Sequence, residues 1–89
     1  MQELELPELD LDELINEPNS LVVFNDDVNS FDHVITTLIK VCKHTNEQAE
    51  QCTYLIHYKG KCAVKMGERD ELKPMAHAIC EAGIDARIQ

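Results

Sequence analysis

Three adjacent side chains rich in acceptors, Asn25-Asp26-Asp27, follow directly on the β-branched and aromatic run Leu21-Val22-Val23-Phe24. A carboxylate beside an amide oxygen is a natural receptor for an ammonium group, which brings three N–H donors and a charge to be matched. Asn and Asp also build turns and cap helices, but three in succession exceed what one cap requires. A second polar group, His57-Tyr58-Lys59-Gly60-Lys61, closes a later helical pattern. The imidazole of a histidine can donate or accept near neutral pH. If His57 faces Asn25 and Asp26, the three form a polar ring around an amine or a peptide group. Phe31, Val34, Ile56 and Ile84 would then line an adjoining apolar hole. Taken singly, those four read as core, and a lone histidine on an apolar helix face is more often structural than functional.

The same residues make a poor enzyme. Asp26, Asp27 and His57 are chemically able to act as acid and base. However, the chain has no nucleophile with a partner, no glycine-rich phosphate loop and no zinc spacing. Cys42-Lys43-His44 offers two ligands at a helix end, too few to define a metal site. The expectation is a binding protein without catalytic residues, cofactor or metal.

Composition narrows the class further. Eighty-nine residues make one small domain, and the absence of Trp and the 4% aromatic content require an aliphatic core. Residues 1–20 carry seven acids and no base, against ten acids and eight bases in the rest, for a net charge of −9. Such a chain is repelled by phosphate backbones, which excludes nucleic acid as the expected partner. No apolar stretch reaches membrane-spanning length, and the N-terminus lacks the basic and apolar regions of a signal peptide. Cys42, Cys52, Cys62 and Cys80 have no C-x-x-C spacing and are read as reduced residues of a cytoplasmic protein.

The elements that must position the polar groups follow from periodicity. Residues 1–20 alternate acids with leucines and contain Pro7 and Pro18, the pattern of a flexible, acidic interaction segment. Residues 21–25 are the expected first strand. Asn29 or Ser30 can cap a helix whose apolar positions Phe31, Val34, Ile35, Leu38, Ile39 and Cys42 share one face. Thr45-Asn46-Glu47-Gln48 matches a capping box for a second helix over 46–58, with Ala49, Cys52, Leu55 and Ile56 inward and Gly60 as its stop. Residues 62–66 alternate as a second strand. A third helix starts between Arg69 and Lys73 with Pro74 in its first turn, buries Leu72, Met75, Ala76 and Ile79, and ends at Gly83. Ile84, Ala86 and Ile88 alternate as a last strand. The expected architecture is a flexible 1–20 extension and a compact α+β domain over 21–89, a β-α-α-β-α-β sandwich with helices on one face of a three-stranded sheet.

The strand, Asn25-Asp26-Asp27, the following helix and His57-Tyr58-x-Gly60-Lys61 at this distance resemble the ClpS family, adaptors of the bacterial Clp protease. The resemblance covers about residues 21–89. It implies a non-enzymatic adaptor that binds N-degron substrates, those whose first residue is a bulky hydrophobe such as Leu, Phe, Tyr or Trp. It further implies delivery of them to the N-terminal domain of a Clp AAA+ unfoldase. By match to the motif, Asn25, Asp26 and His57 would hold the free α-amine and the first peptide unit, with Asp27 and Asn29 beside them. Phe31, Val34, Thr53, Ile56 and Ile84 would form the side-chain pocket. Thr53 stands where many bacterial members carry a Met that narrows the pocket against β-branched side chains, so Ile and Val are expected to be better tolerated here. Val28-Asn29-Ser30-Phe31 replaces the family's frequent Tyr-Thr-Pro-Met, so Phe31 reshapes one pocket wall. Glu71-Leu72-Lys73 resembles the family's unfoldase-facing Glu-Thr-Lys, with Leu in place of Thr. The other reading of the chain is an interaction domain that docks on an unfoldase or another partner without reading N-termini.

Overall fold

The computed structural model describes residues 18–89. Its central strand β1 (Asn19–Phe24) is flanked by β2 (Lys61–Gly67) and β3 (Ala86–Ile88), both antiparallel to it, in the order β2-β1-β3. Helices α1 (Phe31–Cys42), α2 (Asn46–Lys59) and α3 (Arg69–Glu81) complete the expected β-α-α-β-α-β order. Residues 1–17 of the acidic extension lie outside the described residues. Among the described residues, no helix is long and apolar enough to cross a membrane.

β1 begins at Asn19, earlier than its apolar run suggests. Ser20 exchanges both backbone hydrogen bonds with Gln89, at 2.8 Å each, and Asn19 pairs with Gly67. Ladder hydrogen bonds at both edges therefore recruit two polar residues that the alternation alone leaves out. Leu21 and Val23 face the helices and are fully buried.

β2 departs from strict alternation. Leu21 is opposite Lys65 while Val22 is opposite Ala63, so Val64 is the extra residue of a β-bulge. The bulge turns Val64 into the core and lets its carbonyl accept from His44 Nε2 at 2.8 Å. That bond fixes the proton of a neutral His44 on Nε2 and employs the histidine structurally. Beyond the bulge, Lys65 takes the inner side and donates to the Cys42 carbonyl at 3.4 Å, whereas Met66 is left 61% exposed.

The caps follow the sequence closely. Ser30 Oγ accepts from His33 N at 3.1 Å. Thr45 and Gln48 exchange the two bonds of a capping box at 3.0 and 3.1 Å. Gly60 ends α2 in the left-handed region, φ 93°, with its N–H on the Ile56 carbonyl. α3 ends in a Schellman motif: Ile84 N–H reaches the Ile79 carbonyl, Gly83 N–H reaches that of Cys80, and Gly83 has φ 88°.

Two helix expectations are corrected. Pro74 is the sixth residue of α3, not part of its first turn. The helix starts at Arg69, the near end of the expected range, because Gly67 leaves room for Glu71, whose carboxylate accepts from Glu68 N–H at 3.2 Å and seeds the N-terminus. One interior N–H is thereby given up at Pro74, on an exposed face where water can reach the unpaired carbonyl. In α2, Leu55 is 44% exposed and Thr53 is buried in its stead. Thr53 is able to turn inward because its hydroxyl donates to the Ala49 carbonyl at 2.7 Å and leaves no unmatched donor.

The core is aliphatic, with Leu21, Val23, Leu38, Leu72 and Ile79 essentially inaccessible. Cys42 is buried within it, and burial raises its thiol pKa. Cys62 is pushed up to about 12, by burial first and by the neighbouring Cys52 thiol second. Leu38 bridges the helices to the sheet at 1% exposure. Leu38→Ala is expected to cost roughly 2–5 kcal/mol, read as a lower urea midpoint at unchanged slope. A loss below about 1 kcal/mol, the Ile→Val scale, would mean that the site collapses without a cavity.

Candidate functional site

β1 delivers the polar loop to a fixed place. Its last residue, Phe24, donates N–H to the Asp85 carbonyl, and Asn25 donates to that of Gly60, both at 2.9 Å. The root of the loop is therefore held from the β3 side and from the C-terminal end of α2 at once. Beyond it, Asp26 organises the turn into α1. Its Oδ1 accepts from the N–H groups of Val28 and Asn29, each at 3.0 Å, and its Oδ2 accepts from Asn29 Nδ2 at 2.8 Å. Asn29 Nδ2 also donates to the Gly83 carbonyl at 2.9 Å, and His33 Nε2 donates to the neighbouring Ala82 carbonyl at 2.8 Å. The carbonyls offered by the end of α3 thus latch the loop and the first turn of α1.

A cavity of about 330 Å³ opens beneath this loop. That is near the lower end of ligand pockets, about 300–1,000 Å³, and suits one side chain with its backbone more than a larger molecule. Asn25, Asp26, Asp27, Asn29 and Ser30 form the polar wall, and His57 closes it from α2. Phe31 and Val34 from α1, with Thr53 and Ile56 from α2, form the apolar part. Val34, Thr53 and Ile56 are nearly inaccessible, whereas Phe31 is 36% exposed at the rim. Among the described residues, the side chains of Asn25, Asp27 and His57 are not engaged in hydrogen bonds, so their polar atoms are available to a ligand. A ring of acceptors with two carboxylates, set over an apolar floor, can hold a cation joined to an apolar group.

All the residues singled out from the sequence line this one cavity except Ile84. Ile84 is 3% exposed and packs in the core, drawn there by the Schellman turn in which it follows Gly83. Ser30 lines the cavity as well as capping α1, a double use its cap signal did not reveal. Tyr54 escaped notice because its exposed position looks like helix surface; its ring meets that of Phe31 edge-on at 5.4 Å. In the Glu71-Leu72-Lys73 segment, Leu72 is wholly buried and Glu71 caps its own helix, leaving Lys73 outward. Among the described residues, no group of three His, Cys, Asp or Glu side chains is placed to hold a metal.

The hydrogen bonds to Asp26 have an electrostatic consequence. Its carboxyl is held below the ordinary 3.8, chiefly by the Asn29 N–H, with burial opposing and the Val28 N–H and Asn29 amide assisting. A depressed folded-state pKa contributes stability that is present above the unfolded value and lost as pH falls through the folded one. Carboxyl titration by NMR should therefore place Asp26 below 3.8. In Asn29→Ala the midpoint should rise but stay depressed, since both backbone donors remain. A midpoint unmoved by this substitution would remove Asn29 from the account of the loop.

Comparison with known proteins agrees with this geometry. The family model for the ATP-dependent Clp protease adaptor protein ClpS matches residues 16–85. The Clp protease adapter protein ClpS of Thermosynechococcus vestitus is 32% identical over 69 residues, 75% of this chain and 73% of that protein. Its namesake in Corynebacterium aurimucosum is 29% identical over 82 residues, 92% and 74% of the two chains. The structure of Agrobacterium tumefaciens ClpS2 bound to L-phenylalaninamide aligns with a TM-score of 0.74 at 22% identity, over 81% of this chain and 94% of that one, and has the same fold. With a strand-borne Asn25-Asp26-Asp27 loop facing His57 across one cavity and a family match over most of its length, this chain belongs to the ClpS family of Clp protease adaptors.

Proposed function

We propose that this adaptor binds proteins that begin with a bulky hydrophobic residue, by their free α-amine and first side chain, and passes them to a Clp AAA+ unfoldase. The observation that carries the reading is the division of one cavity into an acceptor-rich wall, Asn25, Asp26 and His57, and an apolar floor, Val34, Thr53 and Ile56. The phenylalanine amide bound by Agrobacterium ClpS2 has these two parts, a free amine and a large apolar side chain. An α-amine has an ordinary pKa of about 7.7–8.0 and is mostly charged at neutral pH. In a partly dry cavity such a cation must be paired. Asp26 supplies the charge, and Asn25 and His57 meet the remaining donors and the first peptide unit. Burying one large apolar side chain contributes roughly 1.5–3 kcal/mol, and hydrogen bonds to charged groups about 1.5–3 kcal/mol each before association costs. This is binding without chemistry, in keeping with an adaptor. The acidic segment before β1, residues 1–17, is the part of the chain we assign to handover.

The loop geometry decides how to test this. Asp26 holds its own turn, so replacing it would disturb structure and recognition together. Changing the peptide avoids that ambiguity. Calorimetry should find that Leu- and Phe-initiated peptides bind, and that N-acetylation weakens binding by about tenfold or more, because Asp26 is left without its cation. Affinity should also fall as pH rises past about 8, where the amine loses its proton. Equal binding of free and acetylated peptides would defeat the N-terminal reading and favour docking to internal segments.

Thr53 sets the breadth of the pocket. Its hydroxyl is committed to Ala49, so it adds little volume and no free donor to the wall. Thr53→Met should narrow the cavity and raise the Leu-over-Ile preference by roughly five- to tenfold, the scale of overpacking. An unchanged ratio would show that another residue, Phe31 foremost, governs β-branched side chains.

A further inference from the structure

The rings that line the cavity continue outside it. Phe31 meets Tyr54 edge-on at 5.4 Å and His57 at 5.2 Å; His57 meets Tyr58 at 5.1 Å; Tyr54 and Tyr58 stack with planes 6° apart at 5.7 Å. Tyr54 is 53% and Tyr58 73% exposed. Four rings thus run from the cavity mouth onto the open surface of α2. The fold makes no evident use of the outer two, since its core is aliphatic and closed without them. A contiguous apolar surface joined to a binding cavity is a place for more of the same ligand.

We infer that this ledge is a subsite for the third residue of the bound substrate and takes a large apolar or aromatic side chain there. The inference rests on the N-terminal reading above. Direction comes from the loop. Asn25 is tied to Gly60 at the C-terminal end of α2, and Tyr54 lies six residues back, roughly 9 Å along the helix axis. A chain held by its amine at Asn25 and Asp26 leaves the mouth on the other side, across Phe31 and toward Tyr54. Register comes from strand geometry. In an extended chain the second side chain points away from the face that holds the first, and the third returns to it roughly 6.5 Å farther on. Tyr54, whose ring meets that of Phe31 at the cavity rim, stands one ring beyond the opening, on the path of this return. Tyr58, stacked on Tyr54, holds the ledge in orientation. Glu50, one turn before Tyr54 on the same side of α2, and Asp27 at the mouth place negative charge at both ends of the path, which disfavours an acidic third residue.

The test is calorimetry on the full chain with the amidated tripeptides Leu-Ala-Ala, Leu-Ala-Phe, Leu-Phe-Ala and Leu-Ala-Glu. Leu-Ala-Phe is expected to bind roughly three- to tenfold more tightly than Leu-Ala-Ala, the scale of one aromatic contact. Leu-Phe-Ala should show no such gain, and Leu-Ala-Glu should be weakest. Tyr54→Ala, at an exposed position, should remove the gain while Leu-Ala-Ala still binds. Equal affinities of Leu-Ala-Phe and Leu-Ala-Ala, a gain at the second position in place of the third, or a gain that survives Tyr54→Ala would each overturn the inference and leave the N-terminal reading standing. Failure of Leu-Ala-Ala and Leu-Ala-Phe alike to bind would instead strike at that reading, and the subsite would fall with it.

Discussion

The amide of Asn29 is the joint on which the site depends. One Nδ2 group donates to Asp26 and to the Gly83 carbonyl, joining the loop after β1 to the turn after α3, 54 residues away in sequence. Both acceptors are themselves fixed. Asp26 is fixed by two backbone donors of its own turn, and Gly83 by a Schellman motif that exposes its carbonyl. A loop of polar residues next to a cavity would otherwise have many conformations of similar energy. Here the conformation that presents Asn25 and Asp26 to the cavity is the one that satisfies the hydrogen bonds of two helix ends.

In the proposed binding mode Asp26 has two roles that draw on the same atoms. An ionised carboxylate offers about four acceptor sites, and three are occupied by the turn. What remains suits a single N–H of a cation. An ammonium group bound there would need its other donors met elsewhere, and Asn25, Asp27 and His57 offer polar side chains on the same cavity. In that binding mode this division calls for further polar groups beside Asp26, the Asn25 amide among them. The charge of Asp26 would, in the proposed mode, act on the ligand while its geometry is set by the protein, so little would be lost to reorganisation on binding.

Much of this was legible in the sequence because it is local. The Thr45–Gln48 box, the Ser30 cap, the Gly60 and Gly83 stops and the apolar face of α1 are decided within a few residues, and the β-α-α-β-α-β order follows from them. The misreadings arise where a distant partner changes the rule. Pro74 could not be placed without knowing that Glu71 folds back over Gly67. Thr53 outcompetes Leu55 for the interior because its hydroxyl is satisfied by its own helix, which a hydropathy pattern does not record. The bulge at Val64 is met by His44, twenty residues earlier. Ile84 alternates like a pocket residue but is claimed by the end of α3. The cavity-lining residues were found by motif and spacing; the pull of Asn29 on Gly83 carries no local signature at all.

The apolar half of the cavity obeys a different constraint. A void lined by side chains tends to close when they can relax into it. Val34, Thr53 and Ile56 are β-branched and have few rotamers. They stand on two helices whose positions are set by caps and by the core beneath, so none can swing across to fill the space. Phe31 is the large side chain at the mouth, and His57 meets its ring edge-on at 5.2 Å. His57 is thus both a polar wall and an edge-on support for Phe31, and a change of ring at position 57 would alter the apolar opening together with the acceptor set. In the proposed binding mode, recognition of a charge and of an apolar side chain would be coupled through a single imidazole.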